Sequence, residues 1–142
     1  MKKQLPAFLV LLLITLIAGL VLGGDDGRTV VEVRDHEITV VHIPDGVIKI
    51  GKGAFSRCSR LLTVTIPDTV TNIGDFAFFQ CIGLNKLVIP DSVTQIGDYA
   101  FYKADLTAIR MPAGITSIGK YAFRDCNGLT DITIQIIIYI RR

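Results

Sequence analysis

The sequence IPDTVTNIGDFAF, residues 66–78, decides the fold of this chain because related copies lie before and after it. Residues 43–55 read IPDGVIKIGKGAF, residues 89–101 read IPDSVTQIGDYAF, and residues 111–123 read MPAGITSIGKYAF in a degraded copy. The prolines at the second position are 23, 23 and 22 residues apart. A repeat of this length is typical of a solenoid, in which each unit buries its apolar side chains by stacking on the next.

A strand is predicted just before each proline. Leu61, Val64 and Ile66 follow the spacing Leu-x-x-Leu-x-Leu, and the alternation at the last two apolar positions indicates one buried face. Proline then ends the strand because it lacks the backbone N–H needed for pairing. The Asp that follows Pro in three units is assigned to the turn: Asp45, Asp68 and Asp91. Equivalent segments occupy residues 38–43, 84–89, 106–111 and 129–134.

The second half of each unit is predicted to complete the core from the opposite side. Val70 and Ile73 recur in every unit as Val or Ile. The recurring Gly74 marks a corner that needs either a positive φ or close backbone approach. Ala77 and Phe78 follow, and we expect the Phe side chains to stack inside the solenoid.

Three cysteines share one position of the repeat. Cys58, Cys81 and Cys126 each stand three residues after the Phe of their unit. We predict buried thiols that pack as small hydrophobic side chains. A disulfide between Cys58 and Cys81, in adjacent units, is the alternative for an exported chain, although three cysteines cannot all pair internally. No His or acidic residue shares the column, so no metal site is expected.

The full unit, Ile-Pro-x-x-Val-x-x-Ile-Gly-x-x-Ala-Phe-x-x-Cys-x-x-Leu, resembles the Treponema-type, or BspA-like, family of leucine-rich repeats over residues 38–134. The resemblance implies a mainly β fold, a leucine-rich-repeat solenoid with parallel strands stacked one per coil. It also implies a secreted or surface protein that binds proteins of a host or a neighbouring cell. The third unit departs from the pattern: it is one residue shorter, and Ala104 replaces Cys, so we expect a local shift of register there.

The outward residues of the predicted strands form the candidate binding face, because leucine-rich solenoids use this face for binding. Stacked, these side chains make two short columns of mixed polarity. Arg110 and Asp131 belong to adjacent units and could pair, but a surface ion pair contributes little stability. An ordinary solvated surface is the alternative interpretation. The predicted binding residues are Val40, His42, Thr63, Thr65, Lys86, Val88, Ala108, Arg110, Asp131 and Thr133.

Other classes of function find little support in the sequence. Polysaccharide cleavage on a β-solenoid needs clustered carboxylates and a base, whereas Asp131 is the one carboxylate of the predicted face. No phosphate loop, metal quartet or Ser-His-Asp arrangement is recognisable, so no catalytic residue, metal or cofactor is predicted. An ice-binding surface would need Thr-x-Thr on every coil, and only Thr63 and Thr65 supply it. Without Lys2 and Lys3 the chain has thirteen basic and thirteen acidic residues. A chain of balanced charge has no long-range attraction for nucleic acid.

The first residues differ from the repeats. Lys2 and Lys3 precede an apolar run that continues to Leu22, and small and acidic residues follow from Gly23 onward. A cleaved secretory signal is the favoured interpretation, and a retained membrane anchor is the alternative because the run is long enough to span. Both interpretations place the repeats outside the cytoplasm.

The segment after the last repeat is almost wholly apolar. Residues 136–140 read IIIYI, and only Arg141 and Arg142 follow. Such a segment is an aggregation-prone edge unless it is shielded. It is interpreted as a last strand, an edge for self-association, or the start of a truncated repeat.

Four regions are therefore predicted: a signal peptide or anchor (1–24), an N-terminal cap or linker (25–37), the solenoid (38–134) and a C-terminal apolar strand or truncated repeat (135–142). The predicted function is an exported or cell-surface module, not an enzyme, that binds protein through its strand face. Membrane contact is expected only through an uncleaved N-terminal segment. The alternative is a membrane-anchored structural or self-associating repeat protein, or a fragment of a larger one, with no separate ligand.

Overall fold

A computed structural model describes residues 20–24, 27–33 and 35–134 of the chain. These residues form strands and turns without a helix, as the repeat predicts. The strands are β1 (Leu20–Gly23), β2 (Thr29–Val33), β3 (Val40–His42), β4 (Lys49–Ile50), β5 (Thr63–Thr65), β6 (Asn72–Ile73), β7 (Lys86–Leu87), β8 (Gln95–Ile96), β9 (Ala108–Met111), β10 (Ser117–Ile118) and β11 (Asp131–Ile134).

Each coil contributes two strands to the solenoid. The predicted strand before each proline forms β3, β5, β7, β9 or β11, and these pair in parallel as β3-β5-β7 and β9-β11. A shorter strand between Val and Gly of each unit, which the sequence analysis did not predict, joins a second sheet of order β1-β2-β4-β6-β8-β10. Only β1 runs antiparallel in that sheet, against β2.

Hydrogen bonds also join the coils outside the strands. The backbone N–H of Phe55 donates to the carbonyl of Ala77 at 2.8 Å, and Phe78 donates to Ala100 at 2.7 Å. Phe101 repeats the bond to Ala122 at 2.8 Å. The irregular-looking Ala-Phe segment is therefore a third ladder, which satisfies backbone groups that burial would otherwise leave unpaired.

The interior is a set of side-chain columns, one residue per coil. The Phe column is a continuous stack: ring centroids of Phe55 and Phe78 lie 4.9 Å apart, those of Phe78 and Phe101 5.2 Å, and those of Phe101 and Phe123 5.1 Å. The rings are within 6° of parallel, and the first three are fully buried. The predicted Phe core is confirmed.

The glycine column is required by close backbone approach and not by a positive φ. A Cβ on Gly74 would lie 2.9 Å from the carbonyl carbon of Gly51, and one on Gly97 would lie 2.5 Å from the backbone nitrogen of Asp75. Neither glycine has φ in the left-handed region. The corner glycines therefore let one coil approach the next more closely than any side chain allows.

The shorter third unit interrupts the strand face. No strand pairing joins β7 to β9 within the described residues, and β7 is only two residues long. At the break the carbonyl of Asn85 accepts hydrogen bonds from the Thr107 N–H at 3.2 Å and from the Thr107 hydroxyl at 3.3 Å. The expected local shift lies at this break.

The predicted leader and C-terminal segment fall mainly outside the described residues. Residues 1–19 and 135–142 are not among them, while Leu20–Gly23 at the end of the predicted leader form β1. Val30 and Val33 of β2 are buried, so the predicted N-terminal capping strand packs on the core. Within the described part of the chain there is no helix that is long and apolar enough to cross a membrane.

Replacing Phe78 with Ala should lower the free energy of unfolding by about 3–5 kcal/mol, because the change leaves a cavity inside the Phe stack. Urea unfolding followed by circular dichroism measures the change. Phe123→Ala is the matched control: this ring ends the described stack and is only half-buried, so its loss should cost less. Equal or negligible costs for the two variants would contradict the stacked-core description.

Candidate binding face

The strand face presents the residues that alternation predicts. In β3 and β5 the middle residues, Val41 and Val64, are buried, and the residues on either side are exposed. All ten predicted binding residues are exposed. Their exposure agrees with the pattern, and their role in binding stays a prediction.

The pairing register places these side chains in columns. Val40 lies opposite Thr63, which lies opposite Lys86, and His42 lies opposite Thr65. Beyond the break, Ala108 lies opposite Asp131 and Arg110 opposite Thr133. Nδ1 of His42 is 3.0 Å from Oγ1 of Thr65, so the first two coils are also joined by a side-chain hydrogen bond.

The break between β7 and β9 lies beside a depression of about 490 Å³ in the strand face. Val88, which lines it, is 76% exposed. Five predicted binding residues line the depression, namely Thr63, Thr65, Lys86, Val88 and Arg110. The other five are exposed but do not line it.

The ion pair on this face differs from the predicted one. Nη2 of Arg110 contacts Oδ2 of Asp91 at 3.1 Å, and Oδ1 of Asp91 accepts the Ala113 N–H at 3.0 Å. Asp131, which the sequence analysis considered as a possible partner of Arg110, lies opposite Ala108 in the register. The Arg110 guanidinium and the Ala113 N–H hold the pKa of Asp91 below its ordinary value.

Two acidic residues of the depression were missed by the sequence analysis. Asp68 and Asp91 follow the strand-ending prolines and were assigned to the turns. Their position directly after Pro in successive units was the available signal, because two such turns stack at the edge of the strand face. The depression therefore has basic, acidic and apolar walls.

A second groove, of about 450 Å³, runs along the short strands. Lys49, Asn72, Gln95 and Ser117 form its outward row, and Nδ2 of Asn72 donates to Oε1 of Gln95 at 2.5 Å. Oδ1 of Asp75 accepts the Asp98 N–H at 2.9 Å, and Oδ1 of Asp98 accepts the Lys120 N–H at 2.7 Å. The side chains of Asn72, Gln95, Asp75 and Asp98 therefore form hydrogen bonds between neighbouring coils.

The cysteine column is buried, as predicted. Cys81 Sγ lies 3.0 Å from the Phe55 carbonyl oxygen, and Cys126 Sγ lies 3.0 Å from that of Phe101. Burial raises the pKa of Cys58 and of Cys126 to about 11, and raises that of Cys81 further. Among the described residues no group of three or more His, Cys, Asp or Glu is placed to hold a metal ion.

The architecture and face define a leucine-rich-repeat solenoid. The family model described as the BspA type leucine-rich repeat region (6 copies) matches residues 34–141, and the chain belongs to this family. None of the curated proteins compared with the chain matches it.

Solved structures give the same classification. A leucine-rich repeat protein from Bacteroides ovatus is 32% identical with a TM-score of 0.70, over 81% of this chain and 32% of that one. A leucine-rich repeat protein from Bacteroides capillosus is 25% identical with a TM-score of 0.72, over 83% of this chain and 95% of that one. The T. pallidum leucine-rich repeat protein is 23% identical with a TM-score of 0.66, over 92% of this chain and 71% of that one. At this identity the likeness supports the fold alone. The chain spans about a third of the Bacteroides ovatus protein.

Replacing Arg110 with Gln should raise the pKa of Asp91 toward its ordinary value, because the main hydrogen bond to the carboxylate is lost. Titration of the carboxyl carbon by NMR measures this change. Lys86→Gln removes a positive charge from the same depression without removing that hydrogen bond, so its effect should be smaller. Equal shifts would contradict the specific Arg110–Asp91 contact.

The native thiols should react slowly with a disulfide reagent at about pH 8.5, the ordinary thiol pKa, because they are buried and protonated. In denaturant all three should react at once. Since the folded chain keeps these protons to higher pH than the unfolded chain does, stability should fall as pH rises from 9.0 toward about 11. Rapid labelling of the native protein would contradict the burial of this column.

Proposed function

We propose that this protein is a secreted or cell-surface module that binds another protein through its strand face. The single observation that supports this proposal most is the depression at the break between β7 and β9. At this break the strand face offers a recess with walls of different chemistry.

The recess has the composition of a protein contact. Val88 supplies exposed apolar surface, while Lys86 and Arg110 supply positive charge beside it. Aliphatic surface contributes affinity when it is buried, and charged groups at the rim contribute specificity and rate of association. Arg110 is also held in place by Asp91, so a partner's carboxylate meets a guanidinium that is already oriented.

Protein binding accounts for this face better than catalysis does. Acid–base chemistry requires a base with a pKa near the working pH and within reach of a substrate. The recess offers Asp68 and Asp91, and the pKa of Asp91 is lowered, which makes it a weaker base. The thiols are buried with raised pKa values, which makes them poor nucleophiles.

Export is part of the proposal and rests on the sequence. The basic, apolar and small-residue layout of residues 1–24 is that of a secretory signal. Membership of the BspA-type family supports the same location, because that resemblance implies a secreted or surface protein. A retained anchor would keep the same face outside the cell.

Lys86→Glu combined with Arg110→Glu should abolish capture of a surface protein by the purified chain, because both positive charges of the recess are reversed. The measurement is a pull-down with solubilised surface proteins of a host or neighbouring cell, in which captured bands are compared between variants. Lys49→Glu is the control: it makes the same charge reversal, at one exposed position outside the recess, and should leave capture unchanged.

Self-association without a separate ligand is the second candidate, favoured by exposed Ile132 and Ile134 on β11. Deletion of residues 136–140 separates the two candidates. Loss of capture on this deletion, with capture intact in the doubly reversed variant, would place the contact at the C-terminal apolar segment and overturn the strand-face assignment.

A further inference from the structure

A turn in the fourth unit contains an Asn-Gly pair, Asn127–Gly128, which lies outside the recess of the strand face. The turn follows the Phe column and is closed by a hydrogen bond from the Leu129 N–H to the Cys126 carbonyl, at 3.0 Å. Asn127 is exposed and Gly128 is partly exposed. Solvent therefore reaches both residues of the pair.

The pair itself is not held by hydrogen bonds, although the residues around it are. Among the described residues, neither the Asn127 side chain nor the Gly128 N–H has a hydrogen-bond partner. The Cys126 thiol and the Thr130 N–H each donate to a backbone carbonyl of the preceding coil, at 3.0 Å and 3.1 Å. Local opening of the turn therefore breaks few contacts of the pair.

An asparagine followed by glycine can react with its own backbone. The Gly128 nitrogen, after losing its proton to solvent, attacks Cγ of Asn127, and the new C–N bond closes a succinimide ring as the side-chain amide leaves as ammonia. Water then opens the ring at one of its two carbonyls, which gives either aspartate or isoaspartate. Glycine favours the first step because it has no Cβ to hinder the approach of its nitrogen.

The other two asparagines of the chain lack this arrangement. Asn72 lies in β6, its side-chain amide donates to Gln95, and the β-branched Ile73 follows it. Asn85 is followed by Lys86 of β7, which pairs with β5. In both places the side chain of the next residue hinders attack by its nitrogen, and strand pairing restrains the backbone.

From this arrangement we infer that Asn127–Gly128 is a site of spontaneous deamidation, at which Asn127 is converted to aspartate and isoaspartate without an enzyme. The exposed pair, its unbonded amide groups and the following glycine together favour the reaction, whereas each of the other asparagines lacks the glycine. The modification is independent of the proposed binding function.

Deamidation changes the turn in two ways. Isoaspartate places one more atom in the main chain, between residues that are bonded to the preceding coil on both sides of the pair. The extra atom strains the closure of the turn and loosens strand β11, which begins at Asp131. Either product also adds a carboxylate to a depression of about 230 Å³ that Asp105, Asp125 and Lys103 already line.

Peptide mapping by mass spectrometry tests the inference on the full, folded chain during storage in mildly alkaline buffer. The mass change of an amide converted to an acid should appear at Asn127 while Asn72 and Asn85 stay intact, and the aspartate and isoaspartate peptides should separate by chromatography. Mildly acidic buffer should slow the reaction, because the attacking nitrogen must lose its proton. Survival of Asn127 for as long as Asn72 and Asn85, or its conversion only in denaturant, would overturn the inference.

Urea unfolding of fresh and stored protein measures the effect on the solenoid. The stored chain should unfold at a lower urea concentration than the fresh chain. Asn127→Ser is the matched control: Ser59 holds the same position in the first unit, so the variant should fold, and storage should leave its unfolding midpoint unchanged. An unchanged midpoint of the converted chain, or an equal decrease in the Ser variant, would overturn the predicted loosening of the turn.

Discussion

Backbone hydrogen bonding between successive coils is the constraint on which the rest of this structure depends. The strands and the glycine corners donate hydrogen bonds to the preceding coil, and the Ala-Phe segment donates to the next one. The coils are therefore held about 4.8 Å apart, the spacing of paired strands. At that spacing a Cβ on Gly97 would overlap the preceding coil. The same spacing brings the Phe rings to 4.9–5.2 Å, which is the distance of a favourable offset stack.

Most of the fold follows from the repeat because each column is one sequence position. Buried Val, Ile and Phe columns were predictable, since one unit can bury them only against the next. The short strands such as Asn72–Ile73 were not, because two residues carry too little alternation to be recognised. The left-handed residues were not predictable either. Phe76, Tyr99 and Tyr121 stand where the first unit has Gly53, and only the backbone angles reveal why glycine suits that position.

The candidate face was predictable in its residues but not in their partners. Alternation decides that Arg110 points outward, and the structure agrees. Its neighbour depends on register, however, and a repeat pattern alone does not give the offset at the shorter third unit. Asp91 comes from the turn of the preceding coil, so the Arg110–Asp91 contact joins residues that the sequence analysis had assigned to different parts of the unit.

Two kinds of variable position therefore exist in this solenoid, and they carry different information. On the strand face an outward residue has ordinary extended backbone, which suits many residue types. Thr63 and Lys86 occupy the same position in adjacent coils, so the difference between them is weak evidence of function. At the position of Gly53 the turn favours glycine, so an aromatic residue there acts against local preference. Stacking between neighbouring rings offsets part of that cost, but a glycine would avoid it. Left-handed φ also recurs at a second position of successive coils, held by Arg57, Gln80, Lys103 and Asp125, none of them aromatic. The backbone angle therefore belongs to the turn and does not by itself mark a binding surface.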